Sequence, residues 1–176
     1  ICNKRVTGIS FLDFDKDGFV DVYFTRLFGD TNMTGGDDGL SYFIPRINKA
    51  SPYAGQNFLL KNEGGHTMSV VNNAGVSNGY LAWAAGVSDV NRDGYPDLIV
   101  ANDFSVNRVY INQKNGTFSD QTRNNLEPQY NSANMSVETG DIHNRGESDI
   151  FISNVSRSTY AANSYNYLFM RDGTNK

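Results

Sequence analysis

The sequence is poor in the features that mark several common classes of protein. Its single cysteine, Cys2, allows no disulfide within the chain, so the thiol is either buried or paired with sequence beyond it. Charged residues make up 19% and the net charge is −4, which argues against nucleic-acid binding, because such proteins carry a basic face. No apolar run could span a membrane, and the first residues lack the apolar core of a signal peptide. At 176 residues the length suits one domain.

Residues typical of catalytic sites are also scarce. The two histidines, His66 and His143, have no recognisable serine or cysteine partner, so a hydrolytic triad has no support. The glycine-rich stretch at 35–39 lacks the Lys-Ser/Thr pair of a phosphate-binding loop. We therefore expect this segment not to be an enzyme.

Acidic loops are the most informative feature that is present. The loop at 13–21 has carboxylates at its positions 1, 3, 5 and 9 and a glycine at position 6. A second copy lies at 89–97 and an altered third copy at 141–149. Alternate side chains on a tight loop can converge on one point, and Ca²⁺ takes six to eight oxygen ligands. The spacing therefore predicts sites for a hard dication.

The residues immediately after these loops exclude an EF-hand. That motif needs a glutamate at position 12, where this chain has Phe24 and Val100. Each loop is instead succeeded by an apolar, β-prone run, such as 98–100. Each loop is thus expected to end on a strand.

One pattern occurs three times along the chain: strand, acidic loop, strand, connector, Asn-led strand, glycine turn, strand. Four short antiparallel strands per repeat are typical of a β-propeller blade. The predicted units are 1–77 with a long insertion at 26–56, 78–133, and 134–176, which is incomplete at its end. Because three blades do not close a ring, we expect an all-β chain forming about three blades of a larger propeller.

These units resemble the FG-GAP/VCBS repeat family, the calcium-loop propellers that include the integrin α-subunit head. They are most similar to its ASPIC/UnbV, or cartilage-acidic-protein-like, branch. The resemblance is carried by residues 13–24, 86–104, 107–112 and 115–120. It implies a seven-bladed propeller, an extracytoplasmic location (secreted, periplasmic or cell-surface), and a role in binding, adhesion or assembly.

The resemblance also implies two Ca²⁺ sites. The first would use Asp13, Asp15, Asp17, the Phe19 carbonyl and Asp21. The second would use Asp89, Asn91, Asp93, the Tyr95 carbonyl and Asp97. In the third loop His143 and Arg145 replace two oxygen donors, so we expect no Ca²⁺ there and an Arg145 guanidinium that bridges Asp141 and Asp149.

The expected function is a calcium-binding module whose partner is a protein, a glycan or the remaining blades of the propeller, with no nucleic-acid binding or membrane insertion. One alternative is an accessory subunit of a larger extracytoplasmic complex, with the insertion as its docking arm. Another is a lyase-like propeller enzyme whose site lies outside this segment. Four sequons, at Asn32, Asn115, Asn134 and Asn154, fit secretion, although several arise by chance in an Asn-rich chain.

Overall fold

The computed structural model describes residues 6–27, 55–77, 79–126, 132–155 and 165–170. Cys2, the sequon at Asn32 and most of the predicted insertion lie outside these residues. The described chain is almost entirely β-structure in antiparallel sheets, which confirms the predicted fold class at this level. No helix in the described part is long and apolar enough to cross a membrane.

The first unit is a four-stranded antiparallel sheet in chain order. Its strands are β1 (Gly8–Leu12), β2 (Asp21–Thr25), β3 (Phe58–Asn62) and β4 (Met68–Val70). The second unit repeats this arrangement with β5 (Leu81–Ser88), β6 (Asp97–Ser105), β7 (Arg108–Asn112) and β8 (Phe118–Asp120), followed by the one-turn helix α1 (Thr122–Asn125). The third unit contains β9 (Ser132–Gly140), β10 (Asp149–Asn154) and β11 (Tyr167–Phe169).

The second and third units share one sheet, which the sequence pattern did not predict. Near the end of β6, Asp103 lies opposite both Leu81 of β5 and Ala133 of β9, and Ser105 lies opposite Ser132. The resulting order is β11-β10-β9-β6-β7-β8, with β5 also paired to β6. The described strands form no closed sheet, and the division at 77/78 and 133/134 stays a prediction.

Strand β6 lies at the centre of the packing because both of its faces are buried. Leu98 and Val100 point towards the first unit, whereas Ile99 and Ala101 point towards the third, and all four are fully buried. One apolar cluster thus joins units one and two, and a second joins units two and three. This layered burial is what stacked sheets require, because a single sheet cannot cover both of its own faces.

The outer faces of the stack remain apolar. On the first unit, Ile9 and Phe11 of β1 are 55% and 67% exposed. On the third unit, Phe151 and Leu168 are 39% and 48% exposed. Contiguous exposed apolar surface of this kind is typical of an interface.

Asparagine side chains hold the second and third strands of every unit together. In the second unit, the backbone N–H of Asn102 donates to Oδ1 of Asn107 at 3.0 Å, and both residues are buried. The same bond runs from Arg26 to Asn57 at 2.9 Å and from Asn154 to Asn166 at 2.8 Å. The asparagine that leads the third strand therefore has a structural role, since it caps the end of the second.

Candidate metal centre

The three acidic loops connect the first and second strands of their units and share one backbone conformation. Their fourth residue has a positive φ, as does the glycine at position 6. The values at position 4 are 63° for Lys16, 62° for Arg92 and 54° for Asn144; those at position 6 are 90° for Gly18, 86° for Gly94 and 73° for Gly146. A side chain at any of these glycines would enter open space, so the glycine is required by the backbone angle.

The opening aspartate of each loop accepts hydrogen bonds from the loop's own backbone. Asp13 accepts the N–H groups of Asp17 and Gly18, each at 3.1 Å. The equivalent distances are 2.9 and 2.7 Å at Asp89 and 2.8 and 2.6 Å at Asp141. In the third loop these bonds lower the pKa of Asp141. The opening aspartate thus closes the turn whatever else it binds.

The closing aspartate is buried in all three loops and fastens the loop to the sheet. Asp97 is fully buried; its Oδ2 accepts the N–H of Val90 at 2.7 Å and its Oδ1 accepts the N–H of Asn112 at 2.8 Å. Asp21 makes the same two bonds, with Phe14 at 3.0 Å and Asn62 at 2.8 Å. In both units the closing aspartate therefore ties the start of the loop to the end of the third strand.

The first loop brings three of its five predicted ligand residues together. One carboxylate oxygen from each of Asp13, Asp15 and Asp21 lies within 4.8 Å of the others. Oδ1 of Asp15 is buried and accepts no hydrogen bond in the described part of the chain. Burial raises the pKa of Asp21, its two backbone hydrogen bonds oppose this, and the charges of Asp15 and Asp17 raise it further. Clustered carboxylate oxygens with an unused buried acceptor fit a hard dication such as Ca²⁺.

The remaining two predicted ligands of this loop are placed differently. Oδ2 of Asp17 lies 2.8 Å from Nζ of Lys61, which also contacts Oδ2 of Asp15. The hydrogen bond from Lys61 lowers the pKa of Asp17, and the two carboxylates raise the pKa of Lys61. Phe19 donates its N–H to Oδ1 of Asp17 at 2.9 Å, while the use of its carbonyl as a ligand stays a prediction.

The second loop has the same backbone, but its carboxylates are less gathered. The one group of three that meets within the described residues is that of the first loop. Here position 3 is Asn91, whose amide donates to Oδ2 of Asp93 at 2.9 Å, and Nζ of Lys114 lies 3.3 Å from the same oxygen. Burial works to raise the pKa of Asp93, but the bonds from Tyr95, Asn91 and Lys114 outweigh it and lower the pKa. Burial raises the pKa of Asp97 to about 6.

The third loop replaces oxygen donors with cationic side chains. The guanidinium of Arg145 lies 3.1 Å from Oδ1 of Asp149, and Nδ1 of His143 lies 3.5 Å from Oδ2. The predicted contact with Asp149 is therefore present. Asp141 instead accepts the backbone N–H of Arg145 at 2.8 Å. That this loop binds no Ca²⁺ stays a prediction.

Contacts between successive loops were missed by sequence reasoning. Nζ of Lys16 lies 5.6 Å from the ring centre of Tyr95 in the next loop, and the Arg92 guanidinium pairs with Glu147 in the loop after that. Both contacts run from position 4 of one loop to position 7 of the next. The basic residues at position 4, Lys16 and Arg92, were the sequence signal for these contacts. Their partners in the next loop become identifiable only when the packing of the units is known.

The ends of the predicted insertion meet beside the first unit. The N–H of Gly55 donates to the carbonyl of Leu27 at 3.4 Å, which brings together the points where the chain leaves and returns. A cleft of about 660 Å³ lies next to them, lined partly by the amides of Gln56, Asn72 and Asn73. In the second unit a short turn replaces this excursion.

Two of the predicted sequons differ in accessibility. Asn115 lies exposed in the β7–β8 turn, whereas Asn134 is fully buried and donates its amide to the Asn102 carbonyl at 2.9 Å. Asn134 therefore cannot carry a glycan in the folded protein.

Residues 89–152 match the family model described as FG-GAP-like repeat. The match runs from the first residue of the second loop into β10 and so includes the second and third loops. It supports the FG-GAP family and, with it, a β-propeller-type binding module. A comparison with curated proteins gave no match.

Proposed function

We propose that the chain is a calcium-stabilised β-propeller segment of an extracytoplasmic protein, and that it binds or assembles with other molecules and carries out no catalysis. The observation that carries this is the recurrence of one loop, with the same backbone angles and the same aspartate hydrogen bonds, between equivalent strands of three units. The FG-GAP-like match over 89–152 supports the proposal. We further propose that the chain belongs to the ASPIC/UnbV branch, which its motifs resemble.

The propeller part of the proposal is supported by the way the units stack. Val22 and Phe24 of β2 correspond to Leu98 and Val100 of β6, because each pair follows its closing aspartate at the same distance. In the second unit that face is covered by the first unit. In the first unit the same face carries the exposed Phe11. Further blades would cover this surface, and a ring of seven accommodates them.

Calcium would act mainly on stability. Carboxylates of the first loop crowd within 4.8 Å of one another, and a dication would remove their repulsion. The ligands would be those named above for loops one and two. FG-GAP repeats are typical of extracellular proteins, which supports an extracytoplasmic location.

The partner would be a protein or a glycan, held by loops at the edge of the stack. The paired ends of the insertion at Leu27 and Gly55 favour one related alternative, an accessory subunit of a larger extracytoplasmic complex. In that case the insertion would serve as the docking arm. Both readings use the same calcium-stabilised scaffold.

Calorimetric titration of the 176-residue chain with Ca²⁺ tests the proposal. The expected stoichiometry is two, falling to one in either Asp17→Asn or Asp93→Asn, which change the same position of the two loops. Asp141→Asn is the matched control, because it alters the third loop and should leave the stoichiometry at two. Excess EGTA should also lower the melting temperature. Free Ca²⁺ at 100 times the Kd of a site adds about 2.7 kcal/mol to the free energy of unfolding, and EGTA removes this contribution. Absent binding heat together with an unchanged melting curve would refute calcium binding.

A further inference from the structure

Lys61 contacts the first loop from a strand position at which the second unit has no cation. It lies on β3, and its Nζ contacts Oδ2 of Asp15 and lies 2.8 Å from Oδ2 of Asp17. These are two of the five predicted calcium ligands. The side chain is 26% exposed, so the ammonium group sits against the loop while keeping contact with solvent.

The repeat itself shows what the equivalent residue is elsewhere. Asn62 and Asn112 are equivalent, because each donates its N–H to the closing aspartate of its own unit at 2.8 Å. The residue before Asn112 is Ile111, which is 8% exposed and belongs to the apolar cluster. Lys61 therefore replaces an apolar residue of the repeat with a cation.

The lysine near the second loop is placed differently. Lys114 comes from the β7–β8 turn, is 45% exposed, and reaches Asp93 at 3.3 Å from the outside of the loop. It contacts one predicted ligand carboxylate, whereas Lys61 contacts two. The two predicted calcium sites thus differ in the positive charge that already lies against their ligands.

We propose that Lys61 is an internal counter-cation of the first loop that Ca²⁺ must displace, so that the first site binds Ca²⁺ more weakly than the second. The inference rests on the proposed calcium function. Without Ca²⁺, the ammonium group neutralises carboxylates that would otherwise repel one another. For Ca²⁺ to bind, Asp15 and Asp17 must exchange the ammonium for the dication. The flexible stem of lysine allows the group to move into solvent.

The experiment isolates the first site with Asp93→Asn and measures its Ca²⁺ affinity by calorimetry, with and without Lys61→Met. Removal of the competing ammonium should tighten Ca²⁺ binding at this site tenfold or more. Lys114→Met in the same Asp93→Asn background is the matched control and should change the affinity of the first site less than threefold. Lys61→Gln, which removes the charge but keeps a polar side chain, provides a second variant if Lys61→Met folds poorly.

A readout without metal separates the possible roles of Lys61. In EGTA, Lys61→Met should melt at a lower temperature than wild type. Addition of Ca²⁺ should raise the melting temperature of Lys61→Met by more than it raises that of Lys114→Met. An affinity that stays unchanged or weakens in both Lys61 variants would overturn the inference, because the lysine would then brace the loop without competing. If wild type and all variants bind no Ca²⁺, the calcium function itself is refuted together with this inference.

Discussion

Acidification of the calcium-free protein from pH 8 to pH 5 should stabilise it, and Asp97 should supply a defined share of the gain. Burial raises the pKa of this carboxyl from 3.8 to about 6, although the N–H groups of Asn112 and Val90 partly oppose the shift. At pH 5 the folded protein therefore holds a proton on Asp97 that the unfolded chain lacks. Stability from this group is complete below the unfolded pKa of 3.8 and is lost as the pH rises through about 6.

The size of the effect is set by those two values. Proton linkage between a folded pKa of about 6 and an unfolded pKa of 3.8 gives about 1.4 kcal/mol of extra unfolding free energy at pH 5 relative to pH 8. The full burial of the side chain means that solvent does not screen this contribution. Most of the gain falls between pH 6 and pH 5.

Urea unfolding in EGTA at pH 8 and pH 5, for wild type and Asp97→Asn, measures this gain in unfolding free energy. Asparagine is neutral at both pH values, so the variant should gain about 1.4 kcal/mol less than wild type on acidification. Other titrating groups, including Asp21, are present in both proteins and cancel. Equal gains in the two proteins would refute the assignment to Asp97. With saturating Ca²⁺ the wild-type trend should reverse, because the dication favours the ionised carboxylate.

Two further substitutions test the loop and strand contacts. Arg145→Met removes the cation that lies 3.1 Å from the buried Asp149, and should lower the unfolding free energy by about 1–3 kcal/mol in EGTA and in Ca²⁺ alike. A loss seen only in EGTA would instead mean that the third loop binds the metal, because Ca²⁺ would then take the place of the missing cation. Asn107→Ala leaves the buried N–H of Asn102 without its acceptor and should cost about 1–3 kcal/mol, measured by urea unfolding. Asn166→Ala breaks the same bond where it is exposed, so it is the matched control; an equal cost in both would contradict the argument from burial.

Much of the fold could be predicted from the sequence because each unit marks its own strands locally. The glycine and aspartate positions fix where a loop lies, and apolar runs beside it indicate strands such as β2 and β10. The extension of β6 to Ser105 and the start of β9 at Ser132 could not be predicted in this way. Their pairing depends on how two units meet, and no local pattern encodes that register.

The candidate site likewise contains some contacts that local sequence spacing predicts and others that depend on how strands and units pack. The meeting of three carboxylates in the first loop was predictable, because the spacing of Asp13, Asp15 and Asp21 along one turn brings them together. Lys61 was not, because it is 46 residues from Asp15 in the chain and reaches it only through the pairing of β2 with β3. The Arg92–Glu147 contact likewise requires two units to be in place.

The buried closing aspartate has a consequence for how such repeats can change. In all three loops it accepts the N–H of the loop's second residue, including the third loop, where cationic side chains stand at predicted ligand positions. The closing aspartate thus serves the fold in every loop, including the two in which it is also a proposed calcium ligand. Substitutions at positions 3 and 5, such as those in the third loop, leave this hydrogen bond and the packing of the unit in place. If the first two loops bind Ca²⁺ as proposed, the number of ions in such a protein can change over generations while the number of repeat units stays fixed.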